Sequence, residues 1–234
     1  MNRIILPVTV LLAMLVLLGL GTWQMQRLAW KEALIAGREA SLAQPPSTLP
    51  GDFASKGDAE AFEFRAVMAK GVFRHDLEQL FGAIARANVL GHHLLTPLVR
   101  DDGAAVLIDR GWVPADRVDP AKRPEGQLEG EVTIRGIARY RGEDQPGMFT
   151  PDNDPAKGQW YSYDLEAMAL ALGLDLLPVV IEADDAENPG GLPIGGRTRI
   201  TLSNNHLHYA LTWYGLAVAL AGVYILYRRK ERRV

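Results

Sequence analysis

Residues 4–26 read IILPVTVLLAMLVLLGLGTWQMQ, without a single Asp, Glu, Lys or Arg. Ile4 to Trp23 alone gives 20 residues, enough at ~1.5 Å per residue to cross ~30 Å of hydrocarbon as a helix. Pro7 lies in the first turn, where a missing N–H does least harm. A cleaved signal peptide is the rival reading, since Met-Asn-Arg precedes the apolar run. The run is longer than a usual signal core and no Ala-x-Ala site follows it, which favours an uncleaved anchor.

A second such stretch lies at the other end. No charged residue occurs from Ile200 to Tyr227, and the segment stops at Arg228-Arg229-Lys230-Glu231-Arg232-Arg233. Tyr209, Trp213 and Tyr214 flank one end, and Tyr224 and Tyr227 the other, as interfacial aromatics do. The stop argues against a buried soluble helix. The chain therefore divides into a short tail (1–3), a first span (4–23), an outer domain (24–205), a second span with its outer interfacial turn (206–227) and a basic tail (228–234). Both tails are basic, so the positive-inside rule expects both termini in the cytoplasm, and the middle outside in a periplasm or intermembrane space. With no Arg- and Ser-rich transit peptide ahead of the first span, the expected location is a bacterial inner membrane.

The net charge of −3 over 234 residues conceals an acidic middle. Arg3 and the residues after Tyr227 hold six basic residues and one acid. Removing them from the totals of 25 and 28 leaves 19 basic and 27 acidic residues, a balance of −8. Such a domain is a poor partner for nucleic acid. The absence of cysteine excludes disulfides, thiolate metal sites and a cysteine nucleophile.

The middle reads as α+β. Trp23, Arg27, Trp30 and Leu34 recur at helical spacing, so the first span continues as an amphipathic helix that should fade near Gly37. Residues 44–57 are a Pro/Ser/Gly/Asp loop, and Ala61 to Phe73 a strand region. Leu94 to Arg100 and Ala104 to Trp112 form a β-hairpin turned by Asp101-Asp102-Gly103. Glu131 to Tyr140 alternates as a strand. Asp164 to Leu172 is a short helix capped at Ser162 or Asp164 and stopped by Gly173. Leu176 to Ala183 is a buried strand whose Pro178 suggests an edge position or a start at Val179. After the Gly/Pro loop 188–196, Arg197 to Leu202 leads back to the membrane. The sum is a mostly antiparallel β domain with one or two helices, flanked by two transmembrane helices.

Enzyme signatures are lacking: no Gly-rich phosphate loop, no Gly-x-Ser-x-Gly and no His-Glu-x-x-His, so the chain reads as a non-enzyme. His75 sits in a polar stretch and is expected at the surface. His92 and His93, adjacent in or before a strand, point to opposite faces and make a poor chelating pair. His206 and His208 are separated by roughly 200° on a helix and cannot bind one metal together. His206, Tyr209 and Trp213 share a helical face at spacings of three and four. The topology sets that face at the level of Trp23, Gln24 and Arg27. An imidazole, aromatic surface, an amide and a guanidinium together suit haem: His206 as an axial iron ligand, the rings against the macrocycle, Arg27 on a propionate. Helix anchoring without any ligand uses the same residue types.

Four segments then resemble one family in order. Residues 20–31, Leu20-Gly21-Thr22-Trp23-Gln24-Met25-Gln26-Arg27-Leu28-Ala29-Trp30-Lys31, look like the N-terminal signature of the surfeit locus protein 1 family. Thr96-Pro97-Leu98 with Asp109-Arg110-Gly111-Trp112-Val113-Pro114 looks like its central signature, and Trp160-Tyr161 followed by Asp164 is similar to a further feature. Residues 204–216, from Asn204-Asn205-His206 to Gly215-Leu216, resemble its C-terminal signature. The resemblance implies an assembly factor for haem-copper cytochrome c oxidase that acts on the catalytic subunit and, in bacterial members, binds haem a and helps its insertion. The family's second-span histidine maps onto His206. The partners implied are the oxidase catalytic subunit and the lipid bilayer, with haem a synthase as a further candidate. The alternatives are a scaffold for an oxidase intermediate that binds no haem, a membrane enzyme acting on haem, and a sensor. The short basic tail leaves the sensor no output domain.

Overall fold

The computed structural model describes residues 2–142, 146–196 and 203–232. In chain order its principal elements are α1 (Asn2–Leu42), β1 (Ser47–Thr48), α2 (Lys56–Glu60), β2 (Ala66–Phe73), β3 (Gln79–Arg86) and β4 (Val89–Val99). They continue with β5 (Ala105–Pro114), β6 (Glu131–Tyr140), β7 (Gln159–Trp160), α3 (Leu165–Leu172), β8 (Leu176–Ala183) and α4 (His206–Glu231). The chain forms two compact units, one of residues 1–39 and 200–234, the other of residues 40–199.

The first unit is a helix pair. Both helices are long and apolar enough to cross a membrane. At ~1.5 Å per residue, the 41 residues of α1 reach about 60 Å, twice a hydrocarbon thickness. The helix does not fade at Gly37; it continues to Leu42, ahead of Pro45-Pro46. Along α1 the less exposed positions include Val10, Met14, Leu17, Gly21, Gln24 and Leu28. Along α4 they include His206, Ala210, Trp213, Ala217, Leu220 and Tyr224. Alternating steps of three and four give the 3.5-residue period of helices packed side by side. The pair is antiparallel, since Gly21 and Thr22 meet Tyr214 whereas Gln24 meets His206.

The second unit is built on an eight-stranded sheet in the order β1-β2-β6-β8-β5-β4-β3-β7. A further pairing of β2 with β4 (Val72 with Val99, Phe73 with Leu98) closes β2, β6, β8, β5 and β4 into a five-stranded ring. Most pairings are antiparallel; β1–β2, β3–β7 and β5–β8 are parallel. Inside the ring lie Val67, Phe73, Leu98, Val106, Ile108, Val179 and Ile181. A second cluster forms where α3 brings Leu165, Met168 and Leu172 against Trp160, Leu95, Leu107 and Val180. Strand β5 is thus buried on both faces, which is why nine of its ten residues are buried and its apolar run does not alternate with polar residues.

The expected hairpin is β4–β5, with Val99 paired to Ala105. The Gly103 N–H donates to Arg100 O, and the Ala104 N–H to Asp102 Oδ1. Helix α3 is capped by Asp164, which accepts from the Ala167 N–H at 3.0 Å, and stopped by Gly173. The region from Ala61 differs: Ser55 caps the short α2, Phe64 takes a positive φ, and the strand starts only at Ala66. Pro178 also differs from expectation. Strand β8 is central, between β6 and β5, and Pro178 falls where the β5–β8 register shifts between Ala105–Leu176 and Leu107–Val180. There the missing N–H interrupts nothing. The expected segment from Arg197 to Leu202 lies outside the described residues.

Candidate functional site

The helix pair carries two polar contacts across its seam. Near the start of α4, His206 Nδ1 and Gln24 Oε1 are 2.7 Å apart. Two turns along, Thr22 Oγ1 and the Tyr214 hydroxyl are 3.2 Å apart. Gly21 is buried, and the Tyr214 ring fills the volume that a side chain there would need. The small residues Ala210 (0% exposed) and Ala217 (3%) bring the two backbones close enough for short side chains to meet. In a medium without water, such interhelical hydrogen bonds are worth ~0.6–2 kcal/mol each.

Of the six residues expected to serve haem, the seam joins Gln24 and His206 directly, and Trp213 lies along it. Trp23 and Arg27 occupy the neighbouring face of α1. There the Arg27 guanidinium lies 5.9 Å from the Trp23 ring and 5.0 Å from that of Trp30. This places a cation between two half-exposed indoles, one turn apart on either side. Tyr209, one position short of the seam residue Ala210, is half exposed. His208 is exposed, with its ring edge-on to Tyr209. Tyr214, grouped by sequence with the interfacial aromatics, instead packs on Gly21 and Thr22. Its signal was the Gly21-Thr22 pair at the level where a bulky partner would have to fit.

The β unit holds a buried charge cluster. Glu78 receives Arg123 through both carboxylate oxygens, with Arg110 Nη1 3.4 Å from Oε1; the three side chains are 7%, 2% and 3% exposed. Arg110 also donates to Gly126 O and lies over the Phe73 ring at 4.8 Å. His75, expected at the surface, is largely buried here, with Nε2 2.9 Å from Leu128 O and Nδ1 3.3 Å from Glu78. Burial drives the Glu78 carboxyl upward, but hydrogen bonds from His75 and Arg123 and the charges of Arg123 and Arg110 outweigh it and hold the group below its ordinary range. Burial lowers Arg110 to about 10, with Glu78 pulling it up and Arg123 pushing it down. One carboxylate thus faces two guanidiniums, and Arg110 still carries its charge at neutral pH. The adjacent Asp109 and Arg110 in an otherwise apolar strand were the sequence signal for buried charge here.

His92 and His93 do part to separate partners, Gly82 O and Asp109 Oδ2, the latter at 2.7 Å. Asp109 also accepts the Gly111 N–H at 2.9 Å. Two cavities open nearby. One, of about 610 Å³, is lined by Phe81, His93, Asp109, Arg139, Tyr163 and Glu182. The other, of about 1130 Å³, is bordered by Phe53, Tyr140, Met148, Asn153 and Asp164. Met148 and Phe149 are 92% and 93% exposed. No group of three or more His, Asp or Glu side chains able to hold a bare metal ion occurs among the described residues.

A closed β-ring inserted in the chain between two helices long and apolar enough to cross a membrane is the organisation of a membrane protein. The SURF1 family model matches residues 11–218. The chain is 39% identical over 230 residues to Surfeit locus protein 1 of Mus musculus, covering 92% of this chain and 72% of the relative. It is 39% identical over 224 residues to the SURF1-like protein of Monosiga brevicollis, covering 91% and 83%. It is also 39% identical over 217 residues to Surfeit locus protein 1 of Homo sapiens, covering 86% and 70%. The chain belongs to the SURF1 family.

Proposed function

We propose that this protein is an assembly factor for haem-copper cytochrome c oxidase that holds haem a through His206 and helps deliver it to the catalytic subunit. It does so from a bacterial inner membrane, with both termini cytoplasmic and residues 24–205 in the periplasm. The observation that carries this reading is the seat of His206. Its imidazole is half-buried in the interhelical seam, Nδ1 is engaged by Gln24, and Nε2 has no partner among the described residues. That donor set fits an axial haem ligand: one imidazole nitrogen available and the other tethered, at the start of an apolar helix. Trp213 supplies ring surface, as does the more exposed Tyr209, and Arg27, steadied by Trp23 and Trp30, supplies a cation for a propionate. Haem a, when bound, supplies the redox iron the oxidase requires; this chain's residues bind, orient and shield it. Haem a synthase is a natural donor partner in this scheme, and no step asks the protein to catalyse a reaction.

The test is an absorption spectrum of detergent-purified protein from cells that make haem a, for wild type and His206→Ala. A haem a spectrum in wild type that the folded variant loses is the expected result. Wild type purified without haem from haem-a-containing membranes would overturn it. The exposure of Met148 and Phe149 favours a second reading, a scaffold that grips an oxidase intermediate through the outer domain. On that reading His206→Ala leaves oxidase assembly intact.

A further inference from the structure

We infer that Gln24 is the positioning residue for His206: its amide oxygen accepts the Nδ1 proton, fixes the ring in the Nδ1–H tautomer and leaves Nε2 as the base that faces iron. The inference rests on the haem reading above and deepens it. A neutral imidazole has one nitrogen that donates and one that accepts. With Oε1, which only accepts, as the Gln24 atom 2.7 Å from Nδ1, the contact is a hydrogen bond only in the tautomer that carries the proton on Nδ1 and the lone pair on Nε2. An unconstrained histidine favours the opposite tautomer, with Nε2 protonated and unable to ligate. The amide therefore does chemical work beyond holding two helices together.

Three features suit Gln24 to the task. It lies on the α1 seam, three residues after the buried Gly21, so helix packing fixes where its side chain starts. It is neutral, and a carboxylate at this level would bring a charge into an apolar seam. Its partner begins α4, where Asn204 Oδ1 accepts the His206 N–H at 3.4 Å and Asn205 O accepts the Tyr209 N–H at 3.2 Å. The His206 backbone and ring are thus held from separate directions. A hydrogen bond from the non-ligating nitrogen to an oxygen raises the basicity of the ligating one, and removing such a partner from a metal-bound histidine typically weakens binding 10–100-fold.

The decisive experiment reads the tautomer and the iron bond separately on the full chain in lipid nanodiscs. Nitrogen-15 NMR of the haem-free protein, with His206 assigned by its loss in His206→Ala, should find Nδ1 protonated in wild type and Nε2 protonated in Gln24→Leu. Titration with ferric haem a should then give ~10–100-fold weaker binding for Gln24→Leu and tighter binding for Gln24→Glu than for Gln24→Leu, because the carboxylate keeps the acceptor although it adds a charge to the seam. The iron–histidine stretch of the reduced complex should fall in Gln24→Leu and return in Gln24→Glu. A wild-type His206 protonated on Nε2, or a Gln24→Leu variant that binds like wild type while His206→Ala does not, overturns the role of Gln24 alone. Wild type that keeps the Nδ1–H tautomer but takes up no haem a overturns the haem reading, and this inference with it.

Discussion

The Tyr214 ring occupies the space that Gly21 leaves open: a β-carbon at residue 21 would stand 2.6 Å from Tyr214 Cε1. The same tyrosine reaches Thr22 through its hydroxyl at 3.2 Å, so one side chain both fills and fastens the seam. Gly21→Leu should force the helices apart and cost ~1–3 kcal/mol of stability, the usual penalty of overpacking. Thermal unfolding in detergent checks this. A midpoint equal to that of wild type would mean the seam does not form as described.

The Glu78 cluster makes the β unit acid-sensitive. The folded carboxyl is held below its ordinary value of 4.5, so the unfolded chain takes up this proton first as pH falls. The contribution is fully present above about pH 4.5 and drains away as pH drops through the lower folded value. Glu78→Gln should cost ~3–5 kcal/mol at pH 7, because it leaves Arg110 and Arg123 buried without a counter-charge. It should also flatten this part of the acid limb. Denaturant midpoints from pH 7 to pH 3 for both proteins check it, and parallel curves would refute it.

Gly111 has φ +112°, and a β-carbon there would be driven into the Ile194 carbonyl, which accepts the Trp112 N–H at 3.0 Å. Backbone presses it on one side and a positive φ constrains it on the other, so no rotamer change relieves the clash. Gly111→Ala should destabilise the β unit by at least ~2 kcal/mol, a figure set by backbone strain of this kind. Loss of ordered signal from the neighbouring Trp112 in near-ultraviolet circular dichroism, at a lowered midpoint, is the expected result. Unchanged spectra would contradict it.

Met148→Ser with Phe149→Ser should leave the unfolding midpoint within the ~0.5 kcal/mol typical of surface changes, because neither side chain is buried. If the outer domain grips an oxidase intermediate, the double variant should still lose crosslinking to it. Crosslinking at wild-type yield would remove this surface from the scaffold reading.

Much of this was legible in the residues. The two charge-free stretches announced the long helices, and Asp102-Gly103 announced the β4–β5 turn. That Gln24 and His206 lie at one level follows from the first apolar stretch ending where the second begins. Closure of the ring was not legible, because β2–β4 and β5–β8 pair residues far apart in the chain and no local pattern encodes that. Strand β3 was not legible, because most of its residues are partly exposed and carry no strong alternation. At the site, Tyr209 and Ala210 are adjacent, and either fits a helical face with His206. Which one enters the seam depends on the partner helix, which asks for a small residue. His75 looked polar by its neighbours Arg74 and Asp76, yet those two pair with each other and leave the imidazole to turn inward.

The place of β8 between β6 and β5 also governs the order of events at birth. The sheet falls into two flaps, β1-β2-β6 and β5-β4-β3-β7, joined at one margin by the two rungs of β2–β4 and at the other only by β8. The keystone is thus, among the described residues, the last strand to leave the ribosome. Until it arrives, each flap carries a raw hydrogen-bonding edge, and the interior of the ring is wet. Translation at ~5–20 residues per second sets how long that vulnerable window lasts. A nascent chain stalled before Leu176 would offer both edges to proteases and to other unfolded strands.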